Sequence, residues 1–435
     1  MERASNGVDP SIRDVIVIGG GPAGSTIAAL LAERGKTVTL IDKDRHPRFH
    51  IGESLLPANI ALLDKLGVRE QVERVGMLKY GIEFVSPHHE KPSFLDFADG
   101  WHKHLDYSFQ VRRSEFDHIL LDNAAAKGAT VVQGSRVTAV DFPAEGGVVA
   151  TVAGADGAAW PVRGRFLVDA TGRDAFLATQ LKIKERNRRH ESAAIFGHFT
   201  DAKRLSGRAE GHISIFWFDK GWFWFIPLAD GVTSVGAVCK PETIKNRDGD
   251  VTSFFQKLIA SCPGLAARLD TAELVEPATA TGNYSYNTTT MGGDRFIMIG
   301  DASAFIDPVF STGVYLAMRS GFIGAETVET CLDRPERAAE ALKRFERDVR
   351  AGIDRFTWFI YRITSPEIRN LFMVPGNPLR MKEAVLSLLA GDIAADSPIR
   401  FRLFMFKSVY YVKTFFGNIR QYVGGGSRAA SGSRS

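Results

Sequence analysis

The stretch VIVIGGGPAGSTIAALLAERGKTVTLID, residues 15–42, decides the fold. Val15–Ile18 is an unbroken β-branched run, the pattern of a strand buried on both faces. It runs into Gly19, Gly20, Gly21, Pro22, Ala23 and Gly24, and an alanine- and leucine-rich helix follows to about Arg34. Gly35 stops that helix, and Thr37–Ile41 forms a second strand that ends at Asp42. GxGxxG thus falls at Gly19, Gly21 and Gly24, between a strand and a helix, with an acid 18 residues past the last glycine. The first glycine permits the tight turn and the second lets a pyrophosphate approach the backbone. The third lets the helix pack against the strand. The helix N-terminus then faces the phosphates, and Asp42 is placed to accept hydrogen bonds from a ribose. The unit predicts an α/β, Rossmann-like dinucleotide-binding domain.

Three later segments bear on which dinucleotide. Gln110–Asp117 (QVRRSEFD) opens a helix that ends at Lys127-Gly128, before a strand at Thr130–Val132. Phe166–Gly172 (FLVDATG) is a strand ending in a turn, and Phe296–Ala302 (FIMIGDA) is a buried strand with Asp301 at its carboxyl end. These resemble the R-x-x-F-D, D-A-T-G and G-D elements of the glutathione-reductase-type FAD-binding fold. The resemblance implies FAD rather than NAD, with Arg113 and Asp301 among the binding residues and Asp301 on the ribityl chain. One GxGxxG unit is present, so a dedicated NAD(P)H domain is not expected.

Between these segments, residues 191–240 read as antiparallel strands at Ala193–Thr200, His212–Phe218, Trp222–Leu228 and Thr233–Cys239, with Asp219-Lys220-Gly221 as a hairpin turn. Residues 75–108 and 181–285 are therefore expected to form an inserted antiparallel β-sheet substrate domain within an FAD core spanning 14–335. Helices are expected at Thr312–Leu332 and Ala338–Ile353, opening a helical C-terminal part over 336–423. A flexible N-terminus (1–13) and a disordered low-complexity tail (424–435) complete the reading.

Gly221–Pro227 contains W-x-W-x-I-P. With Gly19–Gly24, Gly52–Pro57 (GESLLP), Lys79-Tyr80-Gly81 and Asp307–Val314 (DPVFSTGV), it resembles the flavin-dependent halogenases, over about residues 14–395. The similarity is to single-component FADH2-dependent enzymes acting on phenols or pyrroles, often while these are tethered to an acyl or peptidyl carrier protein. The resemblance implies a flavin reductase as a transient partner supplying FADH2. With O2 it implies a flavin hydroperoxide that oxidises chloride or bromide to hypohalous acid, which an active-site lysine, Lys79, then delivers to the substrate by hydrogen bonding or as a haloamine. It also implies Thr312 and Gly313 as halide ligands, Trp222, Trp224 and Pro227 as a wall near the flavin, and Gly20, Ala23, Glu53, Ser54, Pro308 and Val314 on the cofactor.

The residues themselves support parts of this. Alternation puts Trp222 and Trp224 on one face of a strand and the phenylalanines on the other, which suits either a cavity wall or plain sheet core. Apolar neighbours in Val75–Phe84 would bury the Lys79 ammonium and lower its pKa. Thr312 and Gly313 open a helix, whose free N–H groups suit an anion as well as an ordinary cap. Tyr80 and Glu83 gain no role.

Other readings remain open at this level. An FAD-dependent aromatic hydroxylase would use the same fold, although it usually carries A-D-G where this chain has Asp169-Ala170-Thr171-Gly172. A geranylgeranyl-reductase-like lipid oxidoreductase also uses D-A-T-G, and a flavin-binding sensor or adaptor would need no halide. Cys239, Cys262 and Cys331 show no CxxC spacing, and no HExxH or comparable metal-ligand set or GxSxG appears. The first residues lack an apolar h-region and no run of roughly 18 apolar residues occurs, so a cytoplasmic protein is expected.

Charge is unevenly placed. Pro398–Ser435 carries seven basic residues and no acid, which against the net +4 of the whole chain leaves residues 1–397 at −3. Nucleic acid is not an expected partner. The basic, aromatic segment 398–423 can pack over the substrate domain, or dock on an acidic carrier protein or a membrane.

Overall fold

In the computed structural model, residues 12–305, 309–373, 377–393 and 397–429 are described. The chain enters through β1 (Arg13–Ile18), α1 (Pro22–Glu33) and β2 (Val38–Asp42). The strand thus begins inside the segment expected to be flexible, whose first eleven residues lie outside the described ones. A short strand β3 (Met77–Lys79) and β4 (Gly81–Val85) follow, then α2 (Arg113–Ala126), β5 (Thr130–Gln133) and β6 (Ala159–Asp169). Next come β7 (Lys184–Thr200), β8 (Ile213–Phe218), β9 (Gly221–Pro227), β10 (Thr233–Cys239), β11 (Thr279–Thr288) and β12 (Phe296–Met298). Helices α3 (Thr312–Asp333), α4 (Ala338–Ile360), α5 (Pro366–Met373), α6 (Met381–Leu389) and α7 (Arg400–Ala429) finish it.

Two sheets result. In the first, β12, β6, β1, β2 and β5 lie side by side and parallel. The continuous apolar strands are sandwiched between a cluster on α1, α2 and α3 and a second one on the opposite face, as fully covered parallel strands require. In the second sheet the order is β11-β7-β10-β9-β8-β4, antiparallel except for the β8–β4 pair. Phe218 pairs with Gly221, so the hairpin turn is the two residues Asp219 and Lys220, and Gly221 already belongs to the strand.

The C-terminal helices cover this second sheet. Helix α4 runs seven residues past its expected end because Phe356, Phe359 and Ile360 drop into an aromatic cluster with Trp217, Trp222 and Trp224. Helix α7 runs through Gly424–Ala429, where disorder was expected. Extending an established helix fixes one residue per hydrogen bond gained, so propagation tolerates residues that would not nucleate. Residues 430–435 lie outside the described ones.

Candidate active site

A cavity of about 920 Å³ runs from the β1–α1 turn to the face of β9. At its near end Gly19 takes a left-handed φ of 102°, and a Cβ there would lie 2.4 Å from the carbonyl oxygen of Ala170. A Cβ on Gly24 would lie 1.9 Å from the carbonyl oxygen of Gly19, so this glycine serves helix packing and does not line the cavity. Gly21 is different: its missing Cβ would meet nothing nearer than Arg48 Nη2 at 3.7 Å. That opening beside the α1 N-terminus is a cradle for a diphosphate.

Asp42 lines the same end. Burial works to raise its pKa, but His46 and the N–H groups of Asp44 and Gly20 outweigh that and hold it below the usual carboxylate range. Gly20 N–H donates to Asp42 Oδ2 at 2.5 Å, so Gly20 positions the acid and does not itself face the cavity. Ala23 and Val314 line it as well. Further along, Asp301 sits in the turn Gly300–Ala302 after β12, and burial pushes its carboxyl up to about 6. The residues fit FAD. Asp42 would meet a ribose and the Cβ-free turn a diphosphate, and Arg48, 3.6 Å from Asp117 and 3.8 Å from Asp44, has a buried Nε with no hydrogen-bond acceptor.

Arg113 lines the cavity but is largely engaged within the protein. Its Nε and Nη2 donate to Asp117 at 2.7 and 2.9 Å, and its Nη1 donates to the Ile51 carbonyl at 2.8 Å. The R-x-x-F-D motif is thus an i,i+4 ion pair that anchors the loop ahead of Gly52. Glu53 also lines the cavity, and its Oε1 lies 2.6 Å from His198 Nε2 on β7. His198, and Arg48, Phe49, His50 and Arg173 on the cavity wall, belong to no motif singled out in the sequence. A signal existed for the loop: Lys43–His50 (KDRHPRFH) packs five cationic or imidazole side chains directly behind the ribose acid. None existed for His198, whose contact spans 145 residues.

At the far end Trp222 and Trp224 line the cavity together with Ile226. Their rings lie 6.1 Å apart at 52°, and Trp224 Nε1 donates to Ser234 Oγ at 3.1 Å. Phe223 and Phe225 point the other way, into a cluster with Phe255 and Leu258. Pro227 is displaced from the wall by the same period-two alternation, and Ile226 stands where it was expected. Ser311, in a left-handed conformation with φ 58°, turns the chain into α3 so that Thr312 and Gly313 face the cavity. A Cβ on Gly313 would meet nothing within 4 Å. Pro308 lies outside the described residues.

Lys79 ends β3 and is 1% exposed. Its Nζ donates to Ser54 Oγ and to the Leu55 carbonyl, both at 2.8 Å. Ser54 lines the cavity, so one hydroxyl separates the buried amine from it. Phe97 covers the amine from 5.4 Å. Burial pushes its pKa down to about 7. Glu83 is occupied in a buried cluster, accepting from Ser214 Oγ at 2.5 Å and Arg268 Nη2 at 2.8 Å.

Comparison with known proteins agrees with this geometry. The sequence profile of the family described as tryptophan halogenase matches residues 14–100 and 95–365. A 1H-pyrrole-2-carbonyl-peptidyl-carrier-protein chlorinase of Pseudomonas fluorescens is 30% identical over 403 residues, 87% of this chain and 89% of the relative. A tryptophan 2-halogenase of Chondromyces crocatus is 35% identical over 344 residues, 78% of this chain and 65% of the relative. Among solved structures, the myxobacterial chondrochloren halogenase, described as a variant of the FAD-dependent halogenases, superposes with a TM-score of 0.77 at 31% identity, covering 90% of this chain and 92% of that one. A parallel sheet with a diphosphate cradle, a tryptophan-lined cavity and a family match over most of its length lead to one conclusion: this chain is an enzyme of the tryptophan halogenase family, the flavin-dependent halogenases.

Proposed function

We propose that this enzyme installs chloride or bromide on an electron-rich aromatic ring, a phenol or a pyrrole, either free or bound to a carrier protein. The observation that carries the reading is the buried Lys79 amine, linked by one serine hydroxyl to the cavity that suits the cofactor. Reduced FAD delivered by a separate reductase supplies, with O2, the oxidising equivalents that convert halide to hypohalous acid. The N–H groups at the start of α3, at Thr312 and Gly313, hold the halide anion, because the first N–H groups of a helix have no partners within it. Trp222, Trp224 and Ile226 wall off the cavity and exclude bulk water from the oxidant. Nζ of Lys79 uses two donors on Ser54 and Leu55, and through the Ser54 hydroxyl that separates it from the cavity it orients the hypohalous oxygen. Such fixed delivery supports regiochemistry, since a free oxidant attacks any electron-rich ring. The relative acting on a pyrrolyl carrier supports the carrier-bound form of the substrate.

The test is mass spectrometry of products from phenol and pyrrole substrates, free and carrier-bound, with FAD, a flavin reductase and competing chloride and bromide. Lys79→Ala should lower halogenated product by at least about 10²-fold while flavin oxidation continues at the wild-type rate. Undiminished product from that variant would remove Lys79 from the reaction.

A further inference from the structure

The halogenation reading leaves α7 without a task. Its inner side is settled, since Phe406 and Tyr410 are buried in the aromatic cluster over the second sheet. Its outer side carries exposed rings. At 3.6 residues per turn, Phe401, Phe404, Ser408, Val412 and Phe415 share one face roughly 100° wide with Tyr411, whose hydroxyl accepts from Trp358 Nε1 at 3.0 Å and from Arg362 Nη2 at 3.3 Å. The three phenylalanines are 66%, 63% and 62% exposed, so large rings project from the surface in a row about 21 Å long. A contiguous apolar stripe of this kind marks a binding surface rather than scattered surface apolarity.

The borders of the stripe say what covers it. On one flank Arg402 and Arg380 lie over the Trp101 ring at 4.2 and 4.6 Å. On the other, Arg362 and Lys407 lie over Trp358 at 4.7 and 5.2 Å. Projecting phenylalanines flanked on each side by one tryptophan under two cations supply the residue types of a bilayer interface: apolar rings, amphipathic rings and cations. Pro398–Ser435 contains no acid, so the face repels a second copy of itself and attracts an anionic surface. Protruding rings need no matching pocket in a fluid layer, whereas a folded partner would have to supply one for each. Among the described residues no helix is long and apolar enough to cross a membrane, so α7 would lie on a bilayer rather than span it.

We propose that the Phe401–Phe415 stripe of α7 docks the enzyme onto an anionic membrane surface, with the helix lying in the interfacial plane. The proposal stands independently of Lys79 and of the substrate class.

The full chain, loaded with FAD, is floated with vesicles of phosphatidylglycerol and phosphatidylcholine and with vesicles of phosphatidylcholine alone. Flotation should favour the anionic vesicles by at least about tenfold and fall as salt is raised. The triple variant Phe401→Ser, Phe404→Ser, Phe415→Ser should lose it with FAD binding and circular dichroism unchanged. Phe404→Glu, a single change at an exposed ring of the stripe, should weaken it and covers the case in which the triple variant does not fold. Failure of the wild type to float with anionic vesicles overturns the proposal, as does flotation retained by the folded triple variant. Stripe-dependent capture of a purified acyl carrier protein, or stripe-dependent self-association, without lipid binding overturns it in favour of a protein partner.

Discussion

Lys79 illustrates what a single buried amine implies. Among the described residues no carboxylate pairs with it; its partners are a hydroxyl and a carbonyl, and the lowered pKa arises from burial. The folded value, about 7, is below the ordinary lysine value of 10.5, so unfolded chain binds the extra proton over that window. Stability therefore rises with pH between about 7 and 10.5, and the cost of burying the charge is fully felt below about 7. If the ammonium is what orients the hypohalous oxygen, halogenation runs in the opposite sense, and its rate should fall as pH rises through about 7. A pH profile of single-turnover halogenation with reduced FAD supplied in excess checks this. A rate that climbs through the same range would assign the neutral amine and a haloamine instead. Lys79→Met should abolish the inflection and flatten thermal stability across the window.

At the scale of elements, β9 and β10 set the far wall. Trp224 is paired in register with Gly236, and a Cβ on that glycine would lie 2.2 Å from Trp224 Cζ2 and 2.7 Å from Phe196 Cβ. Gly236 is thus the recess that keeps the indole flat against the sheet, and this is a packing role rather than a conformational one. Gly236→Ala should push the ring into the cavity and break its bond to Ser234, at a cost of about 1–3 kcal/mol. FAD affinity should fall with it. Thermal unfolding and flavin titration measure both, and an unchanged melting point with unchanged FAD binding would mean that the indole relocates freely. Much of this wall was legible beforehand: the W-x-W alternation fixed which rings share a face. Pro227 was misassigned although the same alternation selects Ile226. The Gly236 recess was not legible, because register between strands depends on the closed sheet and not on either strand alone. Likewise Glu53 was marked by its motif, but its partner His198 is joined to it only by the docking of β7 beside the FAD domain.

Over the whole molecule, local chemistry and long-range contacts divide along the same line. The β1–α1–β2 unit was readable because its turn, helix start and acid are all set within 28 residues. The aromatic cluster beneath the C-terminal helices was not, since it gathers rings from β8, β9, α4, α5 and α7. The arrangement also bears on how electrons arrive. The sequence holds one GxGxxG strand–helix–strand unit, and the cavity it serves continues directly to the tryptophan wall. With a single such unit in the sequence, reduction is expected to occur on another protein, with FADH2 arriving by diffusion. Purified chain with FAD and either NADH or NADPH should leave its flavin oxidised for many turnover times. Any flavin reductase, or FADH2 generated chemically, should start halogenation, with a rate set by the concentration of free FADH2 and not by the identity of the reductase. Rapid flavin bleaching by nicotinamide alone would contradict the single-site arrangement. A strict requirement for one particular reductase would point instead to direct transfer within a complex.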